Sequence, residues 1–161
     1  MHRFLKMLLG LGSLYLGLAI LPVPASAQDR ETPYWASLRS KEVNMRVGPS
    51  EDYQISWVYR RQQLPVKVIR VKEGWRLVRD PDGAEGGVVA RLLSPARTAL
   101  VIGHGLASIR NGPEDGATLL WNAEPGVVGN LGDCDDGWCK FDTGGRKGYI
   151  RQDRLWGAGD P

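Results

Sequence analysis

The chain predicts an all-β protein made of two tandem copies of one small module. Three observations carry that expectation. Gly and Pro supply 31 of 161 residues, a density of chain punctuation that fits short strands and tight turns better than long helices. Segments such as Val66–Lys72 and Trp75–Arg79 mix apolar and polar residues at the period of a half-buried strand. The third observation is an ordered internal repeat that runs through most of the chain.

The N-terminus is of another kind. Arg3 and Lys6 precede an apolar run of 15 residues, Met7–Leu21, which ends at Ala25-Ser26-Ala27. A basic start, a short apolar core and a small-residue site are the parts of a secretory signal peptide. The run is short for a bilayer, which needs roughly 20 residues. Cleavage after Ala27 is expected, giving a periplasmic or secreted protein with no stable membrane span after cleavage. No Cys follows the run, which excludes a lipid on a mature N-terminal Cys. The 134 residues beyond Ala27 are too few for an α/β barrel or a dinucleotide-binding fold with a substrate domain.

Processing removes two basic residues and no acid, which leaves 19 basic against 18 acidic side chains. The balance is uneven along the chain. Residues 28–98 hold 13 basic and 9 acidic residues, and residues 99–161 hold 6 and 9. Two modules with different surfaces are expected. Nucleic acid is not an expected partner of an exported chain so near neutrality.

The repeat is read position by position. Val43-Asn44-Met45-Arg46-Val47-Gly48-Pro49 matches Ala107-Ser108-Ile109-Arg110-Asn111-Gly112-Pro113 at an offset of 64, and Trp57 meets Trp121 at the same offset. Gly74-Trp75 meets Gly137-Trp138 at 63. Gly86-Gly87-Val88 meets Gly148-Tyr149-Ile150, and Leu93 meets Leu155, at 62. Two one-residue deletions in loops explain the drift, since loops absorb length changes easily. The resulting division is a lead-in over 28–42, a first copy over 43–94, a linker over 95–104 and a second copy over 105–157.

Within the first copy, Val66–Lys72, Glu73-Gly74 and Trp75–Arg79 predict strand, turn and strand. The apolar phase switches at Val68-Ile69, where a bulge or bend is expected. Val127–Leu131 and Trp138–Phe141 repeat the scheme in the second copy. There Asp136-Gly137 is a strong two-residue hairpin signal. That turn places Asp135 opposite Trp138 and Cys134 opposite Cys139, within disulfide reach. An oxidising compartment favours the bond, and the four intervening residues distinguish it from a redox CxxC pair.

The motifs taken together resemble bacterial SH3-like (SH3b) domains. Asn44-Met45-Arg46-Val47-Gly48-Pro49-Ser50 is similar to the segment that opens the first strand of that family. Trp57-Val58-Tyr59-Arg60-Arg61, Leu64-Pro65-Val66, Gly74-Trp75-Arg76, Trp138-Cys139 and Leu155-Trp156-Gly157 look like an exported, mostly proteobacterial branch of it. The resemblance covers roughly residues 32–157. It implies a small five- or six-stranded barrel per copy and a non-catalytic binding or targeting role in the cell envelope. The expected partner is peptidoglycan or an envelope protein; the alternative is a periplasmic adaptor or regulator that docks on an envelope enzyme. One position departs from the family, which commonly has an aromatic after this Gly: the first copy has Gly87, whereas the second keeps Tyr149.

Catalytic and metal chemistry find little support. Beyond the leader the only histidine is His104, set between two glycines without an acidic neighbour. Gly103-His104-Gly105 follows an apolar run, as in a dinucleotide fingerprint, but Ser108 stands at the third glycine and Asn111-Gly112-Pro113 interrupts the required helix. Asp133, Asp135 and Asp136 lack the EF-hand spacing, with Gly137 and Gly144 at ligand positions 5 and 12. Gly112 to Gly116 is likewise no P-loop. No enzyme activity, cofactor or metal is expected.

Binding surfaces are where function is sought. Trp57 with Trp121, and Trp75 with Trp138, recur in both copies and are expected in the cores. Tyr34 and Trp35 are expected to cover the end of a barrel. Tyr53 aligns with Ala117 and Tyr59 with Ala123, so the common fold does not require these tyrosines. Tyr53 and Tyr59 with Arg60 and Arg61 therefore form the candidate binding site, where rings would stack on a sugar and guanidinium groups would hold a carboxylate.

Overall fold

Two-residue turns set the strand pairing. Glu73 and Gly74 take φ of 42° and 67°, and Asp136 and Gly137 take 47° and 75°. Both central residues are left-handed, which matches the twist of the strands they join. In the computed structural model, which describes residues 30–161, each turn connects the longest strand of its copy to the strand that follows. The expected signal peptide lies outside the described residues.

The first set comprises β1 (Tyr34–Leu38), β2 (Val43–Arg46), β3 (Ile55–Tyr59), β4 (Pro65–Lys72), β5 (Trp75–Arg79), β6 (Glu85–Val89) and β7 (Leu93–Ser94). The second comprises β8 (Thr98–Val101), β9 (Ala107–Arg110), β10 (Leu119–Ala123), β11 (Val128–Asp135), β12 (Trp138–Thr143), β13 (Arg146–Arg151) and β14 (Leu155–Trp156). The first sheet has the order β3-β2-β6-β5-β4-β1-β7, and the second repeats it as β10-β9-β13-β12-β11-β8-β14. A short 3-10 turn precedes the last strand of each, at Ala90–Leu92 and Gln152–Arg154. Seven strands per copy exceed the five or six implied by the resemblance. The first strand of each sheet lies in what the sequence reads as lead-in and linker, and the last has only two residues.

The registers coincide residue for residue. Lys67 pairs with Arg79, Val68 with Val78 and Lys72 with Trp75; Asn130 pairs with Asp142, Leu131 with Phe141 and Asp135 with Trp138. The expected bulge is present, because the β4–β5 register shifts between Val68 and Arg70. Cys134 lies opposite Cys139, and the two form a disulfide.

Each sheet encloses its own core, and the two cores balance volume differently. Val43, Met45, Tyr59, Val68, Val78 and Val88 lie in the first; Ala107, Ile109, Ala123, Leu131, Phe141 and Ile150 stand at the corresponding positions of the second. The large ring comes from β3 as Tyr59 in the first copy and from β12 as Phe141 in the second. Room for Phe141 is made by Ala123 in place of Tyr59 and by Gly129, where a Cβ would stand 2.6 Å from the Phe141 ring. Total volume is what a close-packed core conserves.

A tryptophan seam joins the copies. Trp35 of β1 meets Trp156 of β14 edge-to-face, with centroids 5.1 Å apart. Lys67 lies over both rings, at 5.2 and 5.7 Å. The Trp35 indole donates to the carbonyl of Gly159 at 3.0 Å, and the Thr98 hydroxyl donates to the carbonyl of Gln63 at 2.8 Å. Thr98 and Ser94 occupy the places of Trp35 and Trp156 in the opposite copies, so the seam uses residues that break the repeat.

Candidate functional site

The arginine of each opening motif is a loop anchor. Arg46 donates to the carbonyl of Tyr53 at 2.6 Å, and Arg110 donates to the carbonyl of Ala117 at 2.7 Å. Each guanidinium thereby holds the loop that follows its own strand, which explains why the motif recurs in both copies. The loop forms one wall of a small groove whose other wall is the 3-10 turn. The groove measures about 150 Å³ in the first copy, between Arg46, Glu51 and Arg91, and about 260 Å³ in the second, between Arg110, Asp115 and Asp153. In the second copy an ion pair between Asp115 and Arg151 spans the walls. Arg151 also lies 4.8 Å over the Trp138 ring. The first copy has Val89 at the place of Arg151 and cannot form that pair.

The four residues expected to form a binding site separate. Tyr59 is a correction: its side chain is buried in the first core, 6% exposed, and cannot stack on a ligand. Its hydroxyl donates to the Asp80 carboxylate at 2.9 Å. Asp80 is itself buried and accepts from the backbone amides of Asp82 and Ala84 at 3.0 and 2.8 Å. Burial first, then that hydrogen bond and the charges of Asp80 and Asp82, hold the phenol well above its ordinary range. Absence from the second copy reflected the exchange of core rings and not freedom from the core. Arg60 and Arg61 are exposed, with Arg60 3.5 Å from Glu42. Tyr53 is half exposed, and its ring lies over Gly48, where a Cβ would stand only 2.7 Å from it.

Trp57 is a second correction, being 59% exposed rather than in the core. Its counterpart Trp121 packs against the second core beneath the guanidinium of Arg146, 4.5 Å from the ring centroid. Ala84 aligns with Arg146 and is too short to cover Trp57. Trp138 is buried as expected, Trp75 is half-buried, and Trp35 is covered by Trp156.

A wider groove belongs to the second copy and was not read from the sequence. It measures about 510 Å³ and is open to solvent along β12 and β13. Tyr149 and Leu120 supply apolar surface, Asn111 and Asn130 supply amides, and Asp142 with Lys147 supplies an ion pair of 3.9 Å at its rim. An aromatic face ringed by amides and paired charges suits a polar, uncharged or zwitterionic ligand with one apolar side. The first copy differs at this place. Gly87 replaces Tyr149, and a Cβ there would stand 2.6 Å from the carbonyl oxygen of Gly48. The backbone of Gly48, under the Tyr53 ring, thus lies directly against Gly87. The exchange of Gly87 for Tyr149 was the only signal of this groove in the sequence.

His104 lies on an exposed loop whose carbonyl accepts from Arg154 at 3.2 Å, and both thiols are in the disulfide. Among the described residues no group of three or more His, Cys, Asp or Glu is placed to hold a metal ion, and no helix is long and apolar enough to cross a membrane.

Among solved structures the chain is similar to NlpC2 from Trichomonas vaginalis, at 16% identity and a TM-score of 0.35, covering 80% of this chain and 49% of that one. It is also similar to NlpC1 from the same organism, at 18% identity and a TM-score of 0.34, covering 86% of this chain and 51% of that one. The chain spans about half the length of these proteins. The search of curated proteins gave no match. The family model for the bacterial SH3 domain matches twice, over residues 39–95 and 104–157, one match for each sheet, and the chain belongs to the bacterial SH3 domain family as a tandem pair.

Proposed function

We propose that this tandem pair is an exported, non-catalytic binding module of the cell envelope that recognises peptidoglycan or another envelope component through its second copy. The observation that carries the reading is the groove at Tyr149. It joins an aromatic face to the Asn111 and Asn130 amides, as recognition of a sugar or a short peptide requires, and the first copy has Gly87 in place of that ring. The leader expected over residues 1–27 and the disulfide agree with an exported chain. Both thiols are bonded and His104 lies on an exposed loop, so the described residues hold no free thiol to pair with a histidine.

Co-sedimentation with purified sacculi tests the proposal. Wild type should pellet with the wall, and Tyr149→Ala should bind at least fivefold more weakly while Tyr53→Ala binds as wild type does. No pelleting at low and moderate salt would overturn wall recognition. A saturable envelope protein lost with Tyr149→Ala would then identify the chain as a periplasmic adaptor.

A further inference from the structure

Three segments of the first copy converge at one end of the sheet, and all carry cations. The loop between β1 and β2 holds Arg39 and Lys41, the loop between β3 and β4 holds Arg60 and Arg61, and the 3-10 turn holds Arg91. Hydrogen bonds stitch them together. The Arg39 amide donates to the carbonyl of Leu92 at 2.8 Å, and the Gln62 side chain donates to the carbonyl of Arg39 at 2.8 Å. The Gln63 amide donates to the carbonyl of Leu38, also at 2.8 Å. All five cations are exposed. Glu42 is the one acid on these segments, 3.5 Å from Arg60; it also lines the small groove beside Arg91, as does Glu51 of the loop after β2.

An apolar stripe leads to this end. Strand β3 is the outer strand of its sheet, and it exposes Ile55 and Trp57 before the chain reaches Arg60. Three residues of strand span about 10 Å, so the uncovered indole stands close to the cations. The second copy exposes Leu119 and Leu120 on the matching strand but reverses the charge beyond it. Glu124 and Asp153 replace Arg60 and Arg91, and Arg154 turns inward onto the carbonyls of Ile102, His104 and Gly105.

We propose that the five-cation end of the first copy, with Trp57 beside it, docks on an anionic phospholipid surface. Clustered cations are drawn to an anionic leaflet, each adding about fivefold in affinity. An indole beside them settles at the headgroup level, and the aliphatic Ile55 gains by partial burial there but would add nothing to a sugar contact. The inference needs the envelope location proposed above but not its wall ligand: lipid docking uses the first copy and wall binding the second.

The test is co-sedimentation of protein recovered from the periplasmic fraction with vesicles of phosphatidylglycerol in phosphatidylcholine, against phosphatidylcholine alone. Wild type should bind only the anionic vesicles, less as salt rises. Arg60→Glu with Arg61→Glu should weaken binding at least tenfold, and Arg146→Glu, a charge change on the second copy, should leave it within twofold. Quenching of tryptophan emission by brominated lipid should fall by at least half in Trp57→Ser. Absent or lipid-independent binding overturns the inference, as does equal loss from Arg61→Glu and Arg146→Glu. Heparin bound as tightly as vesicles, with Trp57→Ser binding as wild type does, overturns it in favour of a soluble polyanion. A failed vesicle assay with retained sacculus binding removes this inference and leaves the proposed function standing.

Discussion

The two copies share strand order and register and differ in where they put their aromatic rings. In the first, Tyr59 fills the core from β3, Tyr53 holds a loop down on Gly48, and Trp57 is left uncovered. In the second, Phe141 fills the core from β12, Tyr149 lines an open groove, and Trp121 is covered by Arg146. The fold asks for a fixed volume inside and a fixed hydrogen-bond ladder, and it is indifferent to which strand supplies the ring. That indifference let the two surfaces diverge while the sheets stayed the same. It also shows why an aromatic found in one copy alone is not thereby a surface residue.

Gly87→Ala should break the comparison most severely. The new Cβ would meet the backbone oxygen of Gly48 at 2.6 Å, and a backbone atom cannot rotate away. A loss of about 2–4 kcal/mol is expected from the forced shift, read by denaturant unfolding. Tyr149→Ala in the second copy, at the aligned position, should lose far less, because Tyr149 is only half-buried at an open groove.

Removing the disulfide acts on the second copy alone. Cys134→Ser with Cys139→Ser should lower stability by about 2 kcal/mol on the chain-entropy model for so short a loop. Peptide mapping without reductant should recover Cys134 and Cys139 in one linked peptide, and two free thiols would contradict the observed pairing.

Tyr59→Phe probes the first core in turn. It removes the hydroxyl that donates to the buried Asp80 carboxylate, at a cost of about 1–2 kcal/mol. A pH profile sharpens the result. The folded phenol ionises far above the ordinary value of 10.0, so above about pH 10 the unfolded chain releases a proton that the folded chain keeps. Stability from this group is whole below pH 10 and falls as pH rises, by up to about 1.4 kcal/mol per pH unit. Tyr59→Phe should remove that part of the slope. The second copy has Ala123 at this place and contributes no such slope.

The smallest effect is expected at a pair whose signs the copies reverse. Arg79 donates to Glu85 at 2.7 Å between β5 and β6, while Asp142 faces Lys147 at 3.9 Å between β12 and β13. Arg79→Asp with Glu85→Lys gives the first copy the polarity of the second. Stability should change by no more than about 0.5 kcal/mol, since partly exposed pairs contribute little.

Much of the fold is legible in the sequence. The Glu73-Gly74 and Asp136-Gly137 turns, the bulge after Val68 and the facing cysteines all follow from local rules of backbone geometry and strand period. Alignment of the copies also pointed to Gly87 and Tyr149 as a place of change. Tyr59 and Trp57 were misread for one reason. A residue's exposure depends on what other strands place against it, and here that meant Phe141 and Gly129 in one case and Ala84 in the other.

The sequence by itself determined the all-β class, the duplication, the hairpin registers and the disulfide, because each depends on residues close in the chain or on a repeat visible within it. Tertiary structure alone decided that three basic segments would meet, that Trp35 would find Trp156 across the seam, and that Tyr149 would face a groove. Those contacts join residues far apart in sequence. They arise when sheets close around cores of fixed volume, a condition that no local pattern records.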